Sequence, residues 1–228
     1  MSRHDHNPHR LANPSRSAAQ GSFAQTLGIP AAINPRDFAL GAFKIAAFAG
    51  LLCVAAMVGR IQVPGTEVGI TLQTFVLMIA ALTLTPVEAG SAALLYLAIG
   101  AAGAPVFSNG ASTAALVGPS AGFLFGFVPA AIITALLKAP AQAHADGHRS
   151  VSAALTLARN FIACALGCIL VPYAVGISVQ SIVTGTDIRA LAAASAVFFI
   201  GDTMKAIVAT AAVTPARAFS ARRAAHND

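Results

Sequence analysis

Six long apolar stretches, at 38–57, 70–84, 89–104, 116–137, 151–177 and 190–213, dominate this chain of 228 residues. Apolar residues make up 57% of it and charged ones only 10%. Soluble domains carry about a quarter charged residues, so too little polar surface remains to face water. Such stretches belong in lipid, where an α-helix satisfies every backbone polar group within its own segment. The expected fold is all-α, an integral membrane bundle of six transmembrane helices. A perpendicular span takes about 20 residues and no fewer than ~17. The stretches at 70–84 and 89–104 fall short of that, which leaves a single hairpin dipping partway as the alternative to two full spans. The 19 glycines fit helices packed backbone to backbone, since no hydrophobic force drives association in lipid.

Basic residues orient the bundle. With the N-terminus inside, the inner segments hold Arg3, Arg10, Arg16, Arg36, Lys44, Lys138, Arg149, Arg159, Arg217, Arg222 and Arg223, while the outer loops hold only Arg60 and Arg189. That is a strong positive-inside bias, so both termini are expected in the cytoplasm and the protein in the cell (inner) membrane as a multi-pass chain. Residues 1–36 then form a polar, disordered cytoplasmic tail without the early apolar core of a signal peptide, 37–214 the membrane domain, and 215–228 a basic cytoplasmic tail. The loops at 60–69, 105–115 and 178–189 face outward together. The net charge of +6 sits in the tails and one connection, not on an aromatic-studded face, so nucleic acid is not an expected partner.

Charge inside a span is the chemical signal. Gly201-Asp202-Thr203-Met204-Lys205 lies in the middle of the last stretch, where an Asp or Lys costs about 2.5–3.5 kcal/mol to insert. Three apart on a helix, Asp202 and Lys205 share a face and neutralise each other. A structural pair gluing the bundle is one reading; a solute site opening on a polar cavity is the other, and intramembrane ionisable groups favour it. Thr71, Gln73 and Thr74 open the second stretch, where free N–H groups favour an acceptor; interhelical glue is the competing reading. Gly118, Gly122 and Gly126 form small-xxx-small frames, with Pro119 suited to a helix's first turn. Phe107, Ser108 and Asn109 offer an apolar plate and polar handles in an outer loop. Ala42, Ala46 and Gly50 make a small-residue stripe on the first helix.

Other chemistry is less supported. Cys53, Cys164 and Cys168 lie in apolar stretches; Cys164 and Cys168 share a helix face, but free buried thiols outweigh a metal or redox pair. His144 and His148, like His4, His6 and His9, sit in polar segments, so no metal site is expected. No phosphate-binding loop, zinc-protease or nucleophile-elbow motif occurs, so ATP hydrolysis is not expected of this chain.

The ordered set Thr71-Leu72-Gln73-Thr74-Phe75, Leu94-Leu95-Tyr96-Leu97-Ala98-Ile99-Gly100, Gly103-Ala104-Pro105-Val106-Phe107, Gly118-Pro119-Ser120-Ala121-Gly122 and Gly201-Asp202-Thr203-Met204-Lys205 resembles the BioY family, the biotin-specific substrate-binding (S) components of energy-coupling factor (ECF) transporters. The likeness runs from about residue 40 to 213. Two departures stand out: Thr85-Pro86-Val87-Glu88 replaces Gly-Pro and a basic residue, and Ser120-Ala121-Gly122-Phe123 replaces Thr-Gly-Gly-Tyr. The first bears on the cytoplasmic coupling surface more than on the site.

The resemblance implies six helices, a vitamin pocket near the outer face, no enzymatic activity and no cofactor. It also implies coupling to an ECF transmembrane scaffold protein carrying two ATPase subunits. Within it, Lys205 is the candidate for biotin's carboxylate and Asp202 for the ureido N–H groups, with Gln73, Thr74 or Asn109 on the remaining polar edges. Phe107 and Tyr173 would flank the rings, Gly118 and Gly122 the packing beside them. Asp202 and Lys205 serving the ureido end together, with the carboxylate on Arg60 or backbone amides, is equally open. The Ala42/Ala46/Gly50 stripe is the candidate docking face for the scaffold. An S component for thiamine or riboflavin, and an intramembrane enzyme using Asp202 as a base, are the rival functions.

Overall fold

A computed structural model describes residues 35–59, 61–62, 69–140 and 149–225. Arg60, the histidines at 4, 6, 9, 144 and 148, and the expected N-terminal tail up to 34 lie outside the described residues. The helices are α1 (Pro35–Met57), α2 (Gln73–Thr83), α3 (Pro86–Ala101), α4 (Ala121–Leu137), α5 (Arg149–Cys164), α6 (Val171–Thr184) and α7 (Ile188–Ala225). A π-helical segment, Ala165–Leu170, joins α5 to α6 without a break. Ile61–Gln62 and Gly69–Ile70 form an antiparallel ribbon between α1 and α2. Two 3₁₀ turns, Ser108–Gly110 and Thr113–Leu116, lie between α3 and α4.

The lengths sort the expected spans. Three helical stretches, Pro35–Met57, Ala153–Thr184 and Ile188–Pro215, are long and apolar enough to cross a bilayer; α2, α3 and α4 are shorter apolar helices. At 1.5 Å per residue the 11 residues of α2 reach only about 16 Å. This helix is nevertheless interior, with Leu77, Met78, Ala81 and Leu82 fully buried. Its last carbonyls are taken up from outside, Lys138 Nζ donating to Ala81 O at 3.0 Å and to Leu84 O. The chain then turns at once into α3, where Thr85 and Glu88 form a reciprocal capping box and Pro86 opens the helix.

The polar stretch at 178–189, expected to be an outer loop, is mostly helix. Ser178 Oγ donates to Ala174 O at 2.7 Å and Thr184 Oγ1 to Gln180 O at 2.9 Å, so these hydroxyls are satisfied by their own helix. The helix stops at Gly185, whose left-handed φ of 69° and N–H bond to Ser181 O make an αL cap. Asp187 Oδ1 then accepts from the N–H groups of Arg189 and Ala190 and starts α7. That helix continues through Pro215 to Ala225, so residue 214 marks no change of secondary structure. Pro119 precedes α4 rather than sitting in its first turn, because Ser120 is the N-cap.

Close backbone approach sets the packing. α4 lies against α3 on one side and α6 on the other, α1 packs on α3, and α2 on α7. A Cβ on Gly122 would lie 2.7 Å from Val175 O, and one on Gly126 2.9 Å from Pro172 Cα. Both small-residue frames are therefore read by α6. The π segment ends where Pro172, lacking an N–H, follows it. Thr134 Oγ1 donates to Ala163 O there at 3.2 Å, and a Cβ on Gly167 would meet that hydroxyl at 2.0 Å. Cys164 and Cys168 are buried among these groups, Cys168 Sγ lying 3.2 Å from Thr134 Oγ1. Large apolar side chains on the outside, among them Phe43, Leu155, Ile182 and Ile200, are more than half exposed, as lipid contact allows and water would not.

Candidate functional site

Asp202 and Lys205 project from one face of α7 toward the N-terminal end of α2, and their side chains meet at 2.8 Å. Asp202 is 5% exposed. Its Oδ1 accepts from Lys205 Nζ and from Thr74 Oγ1 at 2.7 Å; its Oδ2 accepts from Tyr173 OH at 2.9 Å. Lys205 Nζ donates in addition to Thr71 O at 2.6 Å and to Thr74 Oγ1 at 3.0 Å. An ammonium has three donors, and each has an acceptor here. Thr71 O is free to accept because α2 begins two residues later, at Gln73. Two opposite charges taken out of water are thus held by five polar contacts, their own ion pair and four from Thr71, Thr74 and Tyr173, which is what offsets the cost of burying them.

The pair opens on a cavity of about 570 Å³. The 69–74 segment, the two 3₁₀ turns and the chain up to Ser120, α4, α6 and α7 all contribute to its wall. Of the residues singled out in the sequence, Asp202, Lys205, Gln73, Thr74, Phe107, Asn109, Tyr173 and Gly118 line it; Gly122 does not, being packed against α6. Asn109 sits at the exposed tip of its turn with φ 61°, a left-handed conformation that asparagine tolerates. Phe107 is almost wholly buried, its ring edge-on to Tyr96 at 5.2 Å and lying where a Cβ on Gly100 would be. It is as much a core residue as a wall.

Gln73 holds the wall more than it faces the cavity. Its Nε2 donates to Tyr96 OH at 2.5 Å and its Oε1 accepts from Ser108 Oγ at 3.2 Å, while Tyr96 OH donates on to Val106 O at 3.4 Å. Helix α2 is thereby tied through one amide to α3 and to the turn covering the cavity. Phe123, named in the sequence only as a departure from the family pattern, and Phe127 and Phe198, not proposed as site residues, complete the apolar lining. Phe123 packs edge-on to Tyr173, centroids 6.1 Å apart, in space left by Gly176. The available signal for Phe123 was its place in the Ser120-Ala121-Gly122-Phe123 departure; Phe198 lies four residues before Asp202, on the same helix face.

The arrangement suits a mostly neutral, ring-bearing solute with a few polar groups: aromatic walls, a fixed acceptor–donor pair at one end and a hydroxyl- and amide-bearing turn above. The model of the BioY family matches residues 29–222. This chain belongs to the BioY family. Among its BioY relatives are the "Biotin transporter BioY" of Rhizobium etli, 30% identical over 178 residues that cover 78% of this chain and 90% of the relative, and that of Rhodobacter capsulatus, 34% identical over 174 residues covering 72% and 86%. The "Probable biotin transporter BioY" of Bacillus subtilis is 32% identical over 72% of this chain and 83% of its own. The fold matches that of the S-component for biotin from an ECF-type ABC transporter, with a TM-score of 0.71 at 19% identity over 82% of this chain and 95% of that one.

Proposed function

We propose that this chain captures biotin in the cavity beside Asp202 and Lys205 and serves as the S component of an ECF-type transporter. The buried, fully hydrogen-bonded Asp202–Lys205 pair on the wall of that cavity, in a BioY chain, carries the reading. A structural ion pair has no need of an open cavity beside it, and about 570 Å³ falls within the ~300–1,000 Å³ usual for small-molecule sites. The protein is a transport protein and not an enzyme; ATP is hydrolysed by partner subunits. The chain crosses the inner membrane six times with both termini in the cytoplasm; the orientation is supported by the basic residues at one end of the bundle, where Lys44, Lys138 and Arg159 lie among the ends of α2 and α4 and the start of α3. Ala42, Ala46 and Gly50 are exposed on α1, and a Cβ on Gly50 would touch nothing within 4 Å, which supports a docking face for the transmembrane scaffold.

The pair is preformed, so a ligand acceptor reaching Lys205 takes the place of one of its present partners, and a ligand donor joins Tyr173 and Thr74 on Asp202. Phe123, Phe127, Phe198 and Tyr173 hold the ring system, and the turn carrying Ser108 and Asn109 closes above it. Mass spectrometry of small molecules released from the purified protein tests the reading. Biotin in near-equal amount to the protein, undisplaced by thiamine or riboflavin, is the expected result. Another vitamin in its place, or displacement of biotin by either competitor, contradicts it.

A further inference from the structure

A second, shallower groove of about 320 Å³ lies on the outside of the bundle, between the end of α4 and the face of α5. Leu137, Leu155, Ile162 and Leu166 line it, and all four are exposed at 40% or more. Arg159 stands in the middle of this leucine stripe. A cation on a lipid-facing stripe is costly unless it reaches a partner or the interface. Its Nε donates to Leu137 O at 3.0 Å, capping the last turn of α4. A guanidinium carries five N–H donors, so this bond leaves most of its capacity unused. No described carboxylate pairs with it: Glu88 is taken by Lys44, and Asp202 by Lys205.

Its depth in the membrane can be read from its neighbours. Leu137 ends α4, and Lys138 next to it caps the end of α2, immediately before α3 begins. Three helices therefore end or start at the level of Arg159, which places the guanidinium where headgroups lie and Ile162 and Leu166, one and two turns deeper, where acyl chains lie.

We propose that this groove is a binding site for one anionic phospholipid, an acyl chain lying along Ile162 and Leu166 and the phosphate accepting from the terminal nitrogens of Arg159. The inference rests on the membrane assignment but not on which vitamin is carried. In bilayer, an open apolar groove is filled by an acyl chain in any case; the guanidinium selects the headgroup, since a zwitterionic lipid's own ammonium offsets the pull of its phosphate on Arg159 and an anionic lipid has no such cation.

Native mass spectrometry of the protein released from nanodiscs of equal phosphatidylglycerol and phosphatidylcholine tests this. Wild-type protein is expected to retain one phosphatidylglycerol in preference to phosphatidylcholine, Arg159→Gln to lose that preference by about tenfold, and Arg159→Lys to keep part of it. Leu166→Trp fills the groove without touching the α4 cap and is expected to lose the lipid; biotin binding by all three variants shows that they are folded. Inorganic phosphate at millimolar concentration is expected not to displace the lipid. Equal retention of the two lipids by wild type, unchanged preference in Arg159→Gln, or displacement by phosphate alone overturns the proposal. So does a groove that retains no lipid while Leu166→Trp blocks assembly with the energising subunits, which assigns it to a protein partner.

Discussion

The phenol of Tyr173 donates to Asp202 Oδ2 at 2.9 Å while Thr74 and Lys205 share Oδ1, so the carboxylate on α7 is gripped from α6 and from α2 at once. Its orientation is set before any ligand arrives. Tyr173→Phe keeps the ring against Phe123 and removes only the hydroxyl. A hydrogen bond to a charged group is worth about 1.5–3 kcal/mol, so biotin affinity is expected to fall roughly tenfold or more by titration calorimetry. Wild-type affinity in this variant would mean that Asp202 needs no support from α6.

The Gln73–Tyr96–Ser108 chain is a structural tie, and its loss acts on stability first. Tyr96→Phe leaves the buried Gln73 Nε2 without the acceptor it meets at 2.5 Å. An unsatisfied buried donor costs about 1–3 kcal/mol, or roughly 3–10 °C in Tm for a chain of this size. Thermal unfolding in detergent measures it; an unchanged Tm says the tie is dispensable.

Gly167 and Gly50 make opposite predictions. A Cβ at 167 would lie 2.0 Å from Thr134 Oγ1 and 2.9 Å from Ala130 O, whereas one at 50 meets nothing within 4 Å. Gly167→Ala is expected to destabilise by about 1–3 kcal/mol through overpacking, and Gly50→Ala to stay within about 0.5 kcal/mol of wild type. Equal unfolding temperatures for the two variants would contradict the α4–π-segment packing.

Much of this was legible in the sequence, and the gaps have physical reasons. The motif at 201–205 announced the pair because charge in an apolar run has no cheap explanation. The residues that grip it were named for other roles: Thr71 was read for its hydroxyl but contributes a backbone carbonyl, while Thr74 and Tyr173 were read as ligand contacts but bond to the pair itself. The stretch at 178–189 read as a loop is mostly helix because serine and threonine hydroxyls bond back to their own helix, so the connection shrinks to 185–187 although most of the stretch is exposed. Gly122 was read with the site because spacing along α4 does not say which neighbour a glycine faces. The shortness of α2 was visible; that it is interior, with its carbonyls capped by Lys138, depends on residues 54 and more positions away.

The coupling surface proposed on α1 is separate from the cavity, so binding and uptake are expected to be separable. Ala46→Trp, on the exposed face of α1, is expected to retain wild-type biotin affinity and to reduce ATP-driven uptake by the complete transporter to background. Uptake at the wild-type rate removes the stripe at 42, 46 and 50 from the coupling surface.

The ion pair is the centre of the account. Removing one partner leaves a lone buried charge, so a double variant, Asp202→Asn with Lys205→Met, removes both charges together and is read beside the single variants Asp202→Asn and Lys205→Ala. Titration of the purified, inserted proteins with labelled biotin is the decisive measurement. Affinity lowered at least tenfold in each single variant and in the double variant is predicted; wild-type affinity in all three would contradict the site.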